Sequence, residues 1–196
     1  MKNQLISFMK KALTSMMVLS MTLTMAACSS SKPAESTSES KEYASATELL
    51  GAIWKQIPDD ESWDTVGGLG DKLTDSYPGE FDLNLPEDIR TNFNVPDALI
   101  EASQSGAGLM DMMMANYFTA SAWILKSGSD VETLSKDCEK TLKETQWLCG
   151  MPEKYSILSS GNNLVVVYGL KDKVDRFEEA AKKELPGVKI TSGTFE

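Results

Sequence analysis

The segment Leu164-Val165-Val166-Val167-Tyr168 is a continuous apolar run that is rich in β-branched residues. It follows Ser160-Gly161-Asn162-Asn163, whose glycine and asparagines suit a tight hairpin turn, and Tyr155–Ser159 precedes that turn. These three segments predict a β-hairpin. Because the second strand is apolar on both faces, we expect it to lie at the centre of a sheet.

Strands and helices alternate on either side of this hairpin. A strand is predicted where Asn116–Lys126 ends in an apolar run, and a helix is predicted over 131–148 because apolar residues recur there at helical spacing. After the hairpin, Asp172 is expected to cap a last helix, which Pro186-Gly187 ends, and Val188–Thr191 forms a final short strand.

The resulting order of strand, helix, strand, strand, helix, strand is that of the ferredoxin-like, or βαββαβ, arrangement. We therefore expect an α+β fold whose sheet is largely antiparallel, with both helices on one face and the other face exposed. A three-layer or more irregular α+β arrangement is the main alternative.

The preceding residues complete one α+β domain over 43–196. Tyr43–Ile57 predicts an amphipathic helix, for which Ser45 or Thr47 supplies a cap. Residues 59–95 are poorly periodic and contain several Gly and Pro turn signals, so we expect loops and one or two short helices there, packed around the sheet.

Two cysteines, Cys138 and Cys149, fall on the apolar stripe of the helix predicted over 131–148 and its end. At about 1.5 Å per residue they are roughly 16 Å apart, whereas a disulfide needs Cα atoms within about 7 Å. We expect two buried, reduced thiols, unless the helix ends early and the chain folds back.

Composition excludes several classes of function. The chain contains no histidine, which removes the Ser-His-Asp and Cys-His systems and the commonest metal ligand. Removing residues 1–27 takes away three lysines and no acidic residue, so the net charge changes from −10 to −13. We expect no nucleic-acid partner, because an acidic surface repels it. A hydrolase that uses paired carboxylates is a less favoured alternative, since no acidic residue lies in a distinctive motif.

Met110, Met112, Met113 and Met114 lie within a few residues of one another. Methionine fills irregular gaps in cores and also forms adaptable binding surfaces, and clustered thioethers bind the soft ion Cu(I). Packing in the core is the first expectation. A contact surface that includes Met112, Met113 and Met114, and a Cu(I) site formed by all four residues, stay open.

Residues 1–27 have the parts of an export signal, with three lysines, an apolar run too short to span a bilayer, and small residues before Cys28. Leu23-Thr24-Met25-Ala26-Ala27-Cys28 resembles the lipobox of bacterial lipoproteins, with Met25 where leucine is most common. The resemblance implies cleavage before Cys28 and a covalent diacylglyceryl group on its sulfur, with no other cofactor. Residues 28–42 are Ser-rich, lack large apolar side chains and predict a disordered tether.

A second resemblance rests on the lipobox, the tether, the first helix and the segments Gly150–Tyr155 and Gly161–Val167. Together they resemble small lipoproteins of low-GC Gram-positive bacteria, whose C-terminal domain is uncharacterised. The resemblance covers most of residues 45–192 and transfers no catalytic residue.

These features predict a non-enzymatic binding or accessory module of the cell envelope, anchored at the extracytoplasmic face of the cell membrane. Its expected partners are the bilayer, through Cys28, and an envelope protein. The exposed face of the predicted sheet would supply the contact, with Trp123 and Tyr168 as anchors.

Overall fold

A computed structural model describes residues 41–148 and 150–195. The leader, Cys28 and the tether up to residue 40 lie outside the described residues, as does Cys149, so the statements about them remain predictions. The elements, in chain order, are α1 (Ala46–Trp54), β1 (Thr65–Gly67), β2 (Thr74–Asp75), β3 (Gly79–Glu80), α2 (Pro86–Phe93), α3 (Asp97–Ala102), β4 (Ser103–Asp111), β5 (Phe118–Leu125), α4 (Val131–Glu144), β6 (Lys154–Ser160), β7 (Asn163–Gly169), α5 (Lys171–Glu184) and β8 (Lys189–Thr194).

One antiparallel sheet joins these strands in the order β2-β1-β4-β5-β7-β6-β8, and β3 also pairs with β4. The predicted hairpin is confirmed, because β6 and β7 pair along their whole length and Ser160 faces Asn163 across the turn. Gly161 takes a positive φ of 60° there, as a two-residue turn requires. β7 lies between β5 and β6 and is buried throughout, so the prediction of a central strand is also confirmed.

Helices cover both faces of the sheet and create two hydrophobic cores. α1 and α5 pack on one face, against Val165 and Val167 of β7. α2, α3 and α4 pack on the other face, against Leu164 and Val166. The alternating residues of one strand therefore serve two cores, and the three-layer alternative is the one observed.

The α+β class is confirmed, but the ferredoxin-like topology is not. In that topology the last strand would pair with the first strand of the unit, β5, whereas β8 pairs with β6, and β4 lies beside β5. The crossover from β5 to β6 through α4 and the crossover from β7 to β8 through α5 therefore pass across the sheet in the same direction. The strands from which they start, β5 and β7, are antiparallel. Right-handed crossovers of this kind place their helices on opposite faces, where α4 and α5 lie.

Trp123 and Tyr168 are core residues rather than surface anchors, because helices cover both faces of the sheet and α2, α3 and α4 pack on the face that carries these two side chains. Nε1 of Trp123 donates a hydrogen bond to Oγ of Ser121 over 3.0 Å. Nδ2 of Asn94 donates to the hydroxyl of Tyr168 over 2.8 Å, and burial raises the pKa of that hydroxyl.

Several boundaries differ from the sequence prediction. α4 ends at Glu144 and not at Leu148, because Thr145 is extended, with ψ of 131°. Cys138 is buried as expected, and burial raises the pKa of its thiol to about 12. Ser45 caps α1 as predicted, but α5 begins after Leu170 instead of at a cap formed by Asp172.

Candidate functional site

Two connections meet at one end of the sheet. One links β4 to β5 through residues 112–117, and the other links α4 to β6 through residues 145–153. They adjoin because Gly169, the last residue of β7, pairs with the first residues of both β5 and β6. Nδ2 of Asn116 on the first connection donates a hydrogen bond to the carbonyl of Gly150 on the second, over 2.7 Å.

These connections carry most of the exposed large apolar side chains of the described chain. Seven such side chains are exposed, and five of them belong to the two connections. They are Met112 (53% exposed), Met113 (85%), Tyr117 (40%), Leu148 (91%) and Met151 (52%). Together with Met114, which approaches Gly150, we call these residues the methionine surface.

The distribution of methionine in the sequence makes this surface more distinctive. The chain has 11 methionines, of which six lie in residues 1–27 and the other five are Met110, Met112, Met113, Met114 and Met151. None of the buried hydrophobic residues in the described ranges is a methionine. Met110 is partly buried against the core beneath α2 and α4, so the expectation of core packing applies only to it. This domain therefore uses methionine at one end of the sheet and not as a general core filler.

Asp111 fixes the conformation of the first connection. Its Oδ1 accepts hydrogen bonds from the backbone N–H groups of Met113 (2.9 Å) and Met114 (3.2 Å). This is the local turn that an aspartate forms with residues that follow it. The exposed side chains of Met112 and Met113 thus belong to a turn that these hydrogen bonds hold.

The other oxygen of Asp111 pairs with Lys173 near the start of α5. The side chain of Asp111 is only 5% exposed and that of Lys173 17% exposed, so the ion pair lies largely inside the protein. Nζ of Lys173 also lies 5.0 Å from the ring centroid of Trp63. Sequence reasoning did not identify Asp111, although an aspartate directly before a turn is a signal of this hydrogen bonding.

Comparison of this chain with models of protein families, with curated proteins and with solved structures found no match. The site must therefore be interpreted from its own chemistry. In residues 41–148 and 150–195 no helix has the length and apolar character needed to cross a bilayer. Within the same ranges no cluster of three or more His, Cys, Asp or Glu side chains is placed to hold a metal ion.

A groove of about 680 Å³ lies at the other end of the strands, between α2, α3 and the start of β4. Its lining combines apolar side chains such as Ile100 with charged ones, among them Arg90, which pairs with Asp97 over 3.3 Å. It has the volume of a small-molecule site but is open and bordered by charges of both signs, so its shape and chemistry select no particular ligand.

Among the described residues, each carboxyl group with a shifted pKa has that pKa lowered, whereas the general acid of a carboxylate-based hydrolase has it raised. Burial alone would raise the pKa of Glu178, but hydrogen bonds from Lys154, Ser156 and Ser192 outweigh it and lower that pKa. The other described carboxyl groups with a shifted pKa are lowered as well, mainly by hydrogen bonds from Lys, Asn, Thr or Tyr partners.

Proposed function

We propose that this chain is a lipid-anchored, extracytoplasmic binding module that contacts an envelope protein through the methionine surface. The anchor would be a diacylglyceryl group on Cys28, as the lipobox implies. The observation that carries the proposal is the concentration of exposed apolar residues, including Met112, Met113 and Met151, on two adjoining connections.

A concentration of exposed apolar residues on one part of a folded domain often marks a contact surface. Methionine suits such a surface because its unbranched, polarisable side chain adapts to the shape of a partner. With a net charge of −13 after removal of residues 1–27, the chain favours a partner that is apolar at the centre of the contact and basic around it.

The position of the surface agrees with this role. The described chain begins at Lys41, whose carbonyl accepts a hydrogen bond from Nδ2 of Asn163 over 3.1 Å. Asn163 is the first residue of β7, and Gly169, its last residue, lies beside the methionine surface. At a rise of about 3.4 Å per strand residue, Lys41 therefore lies roughly 20 Å from that surface. The start of the described chain and the methionine surface therefore lie at opposite ends of the strands.

The contacts of Lys41 differ from the expectation that residues 28–42 form a disordered tether. Lys41, which the sequence places in the disordered segment, forms an ion pair with Glu184 at the end of α5. Glu184 also accepts hydrogen bonds from the hydroxyl of Tyr43 (2.8 Å) and from Nε2 of Gln56 (2.9 Å). We infer that Lys41 belongs to the domain together with residues 43–196.

The test is recovery of crosslinked partners from gently solubilised membranes, with the native chain and with a Met112→Gln, Met113→Gln, Met151→Gln variant. A matched control, Leu73→Gln with Leu85→Gln, changes exposed apolar residues (60% and 53%) outside the surface. Burying a fully exposed methionine stabilises a complex by at most about 1.5–3 kcal/mol, a half-exposed one by less, and each 1.4 kcal/mol is about tenfold in affinity. We expect the Gln variant to lose the partner and the control to keep it. Equal recovery from both would reject the proposal.

A second candidate function, Cu(I) handling by Met110, Met112, Met113 and Met114, is favoured by the same clustering of thioethers. Replacing these residues with leucine removes the sulfur atoms but keeps apolar side chains of similar size. Titration of Cu(I) against a competing chelator should show a site in the native chain that the leucine variant lacks. Unchanged Cu(I) affinity in the variant would remove this candidate.

A further inference from the structure

We propose that Met112, Met113 and Met151 are sites at which hydrogen peroxide modifies this protein, and that their oxidation switches off the contact made by the methionine surface. The second half of this inference rests on the proposed function, whereas the first half stands on the exposure of the three sulfur-bearing side chains.

The chemistry is a two-electron oxidation of a thioether. The sulfur of methionine attacks one oxygen of hydrogen peroxide, an S–O bond forms and the O–O bond breaks. The second oxygen leaves as hydroxide and takes the proton from the oxygen that is now bonded to sulfur, so the products are methionine sulfoxide and water. Sulfoxide formation turns a flexible apolar side chain into a polar one, and methionine sulfoxide reductases reverse it.

Exposure sets the order in which the sulfur atoms react. Met113 is 85% exposed, Met112 and Met151 are about half exposed, and Met110 and Met114 are partly covered. Cys138 is a poor competitor for peroxide, because its thiol is buried and burial keeps it protonated. Peroxide therefore meets the methionine surface before the described interior.

The fold lets this modification act without unfolding the domain. Oxidation of a core methionine disrupts packing, but Met112, Met113 and Met151 contribute to neither core. The turn that carries the first two is held by Asp111 through backbone hydrogen bonds, which do not depend on the methionine side chains. Oxidation should therefore change the chemistry of the surface and leave the conformation beneath it intact.

The experiment treats the full chain, purified from gently solubilised membranes, with increasing hydrogen peroxide. A Cys149→Ser background removes the contribution of that thiol. Peptide mass spectrometry follows the addition of one oxygen at each methionine, and thermal unfolding is measured in parallel. We expect Met113 to react first, Met112 and Met151 next, and Met110 and Met114 last and several-fold slower, with an unchanged Tm. Equal rates at all five methionines, or a Tm that falls with oxidation, would overturn the assignment of the sites.

The switch is tested by recovering crosslinked partners with and without peroxide, within each protein. In the native chain peroxide should reduce recovery several-fold, and treatment with both methionine sulfoxide reductases should restore it. In a Met112→Leu, Met113→Leu, Met151→Leu variant the ratio of recoveries should not change with peroxide. The same peroxide effect in both proteins would overturn the switch. If the Gln substitutions do not change the recovery of the partner, the proposed function is refuted, and the switch with it. The order in which the methionines are oxidised would still test whether Met112, Met113 and Met151 are the sites of modification.

Discussion

Asp111 is the buried carboxylate beneath the methionine surface, and two substitutions separate its two contributions. Asp111→Asn removes the charge that faces Lys173 but keeps an oxygen that can accept from the N–H groups of Met113 and Met114. Asp111→Ala removes both the charge and the acceptor. The difference between the two variants therefore reports the hydrogen bonds of the turn.

The magnitude follows from the burial of the pair. Removing one partner of a buried ion pair costs about 3–5 kcal/mol, because the other charge is left without compensation. Lys173 keeps some contact with water and the ring of Trp63 beneath it, so we expect about 2–3 kcal/mol for Asp111→Asn. Asp111→Ala should cost about 1–2 kcal/mol more, since the freed N–H groups lie on an exposed turn and can bond to water. In a domain of this size each kcal/mol lowers Tm by about 2–4 °C.

Urea unfolding of the full chain measures these free energies, and hydrogen exchange measures the order of residues 112–117. The Asn variant should keep the protection of the Met113 and Met114 amides, and the Ala variant should lose it. Asp60→Asn, at an exposed aspartate, is the control and should change stability by less than about 0.5 kcal/mol. Adding Lys173→Met to Asp111→Asn should recover part of the loss, because the orphaned charge is then gone. If Asp111→Asn is as stable as the native chain, or the Ala variant keeps amide protection, the reasoning is refuted.

Three further outcomes are expected from other parts of the structure. Gly108→Ala should destabilise the domain by about 1–3 kcal/mol, because the added Cβ would collide with the ring of Phe93 and lie 2.6 Å from Cζ of Phe81. Adding Phe93→Leu should restore part of the lost stability, and urea unfolding measures both changes. Glu178 has a folded-state pKa below its ordinary value of 4.5. Its ionised form therefore stabilises the fold above that pH, and this stabilisation is lost as the pH falls through the folded-state pKa. Glu178→Gln should flatten the pH dependence of Tm in that acidic range. Tyr168→Phe should cost about 0.5–1.5 kcal/mol of stability, by loss of the bond from Asn94, and leave partner recovery unchanged.

Each of these outcomes can be contradicted directly. A Gly108→Ala variant of native stability would mean that the strand moves away from the two rings without cost. Parallel pH profiles for the native chain and Glu178→Gln would mean that the network around Glu178 contributes nothing that titrates. Loss of the partner in folded Tyr168→Phe would return this residue to the contact surface.

The hairpin was predictable because its information is local. Gly161 and Asn162 encode the turn, and the apolar run after it encodes burial on both sides. β4 was not predicted, because Gly106 and Gly108 are poor strand residues by propensity. The structure gives the reason for both glycines, since Trp123, Phe81 and Phe93 occupy the space that side chains at these positions would need.

The missing strand also explains the error in topology. With β4 unrecognised, the position beside β5 was assigned to the final strand, and both helices were expected on one face. Because β4 occupies that position, β8 pairs with β6 and the second crossover reverses its face. The covering helices then bury Trp123 and Tyr168, whose large side chains alone do not distinguish a core residue from a contact residue.

The candidate site was predictable in part. Clustering drew attention to Met112, Met113 and Met114, but methionine serves both cores and surfaces, so the sequence left their exposure open. Met151 and Leu148 join them through tertiary contacts such as the hydrogen bond between Asn116 and Gly150, which spans more than thirty positions of the chain.

The alternation of β7 between two cores has a consequence for how the strand finds its partner. In a strand with one polar face, a shift of one residue is prevented because it buries polar side chains and exposes apolar ones. Leu164–Val167 would remain apolar on both sides after such a shift, so burial alone discriminates weakly between the two alignments. The alignment must then be specified elsewhere, and the turn at Gly161 and Asn162, which fixes Ser160 opposite Asn163, is where that information resides. A single residue inserted into this turn should disturb the sheet more than many substitutions within the strand itself.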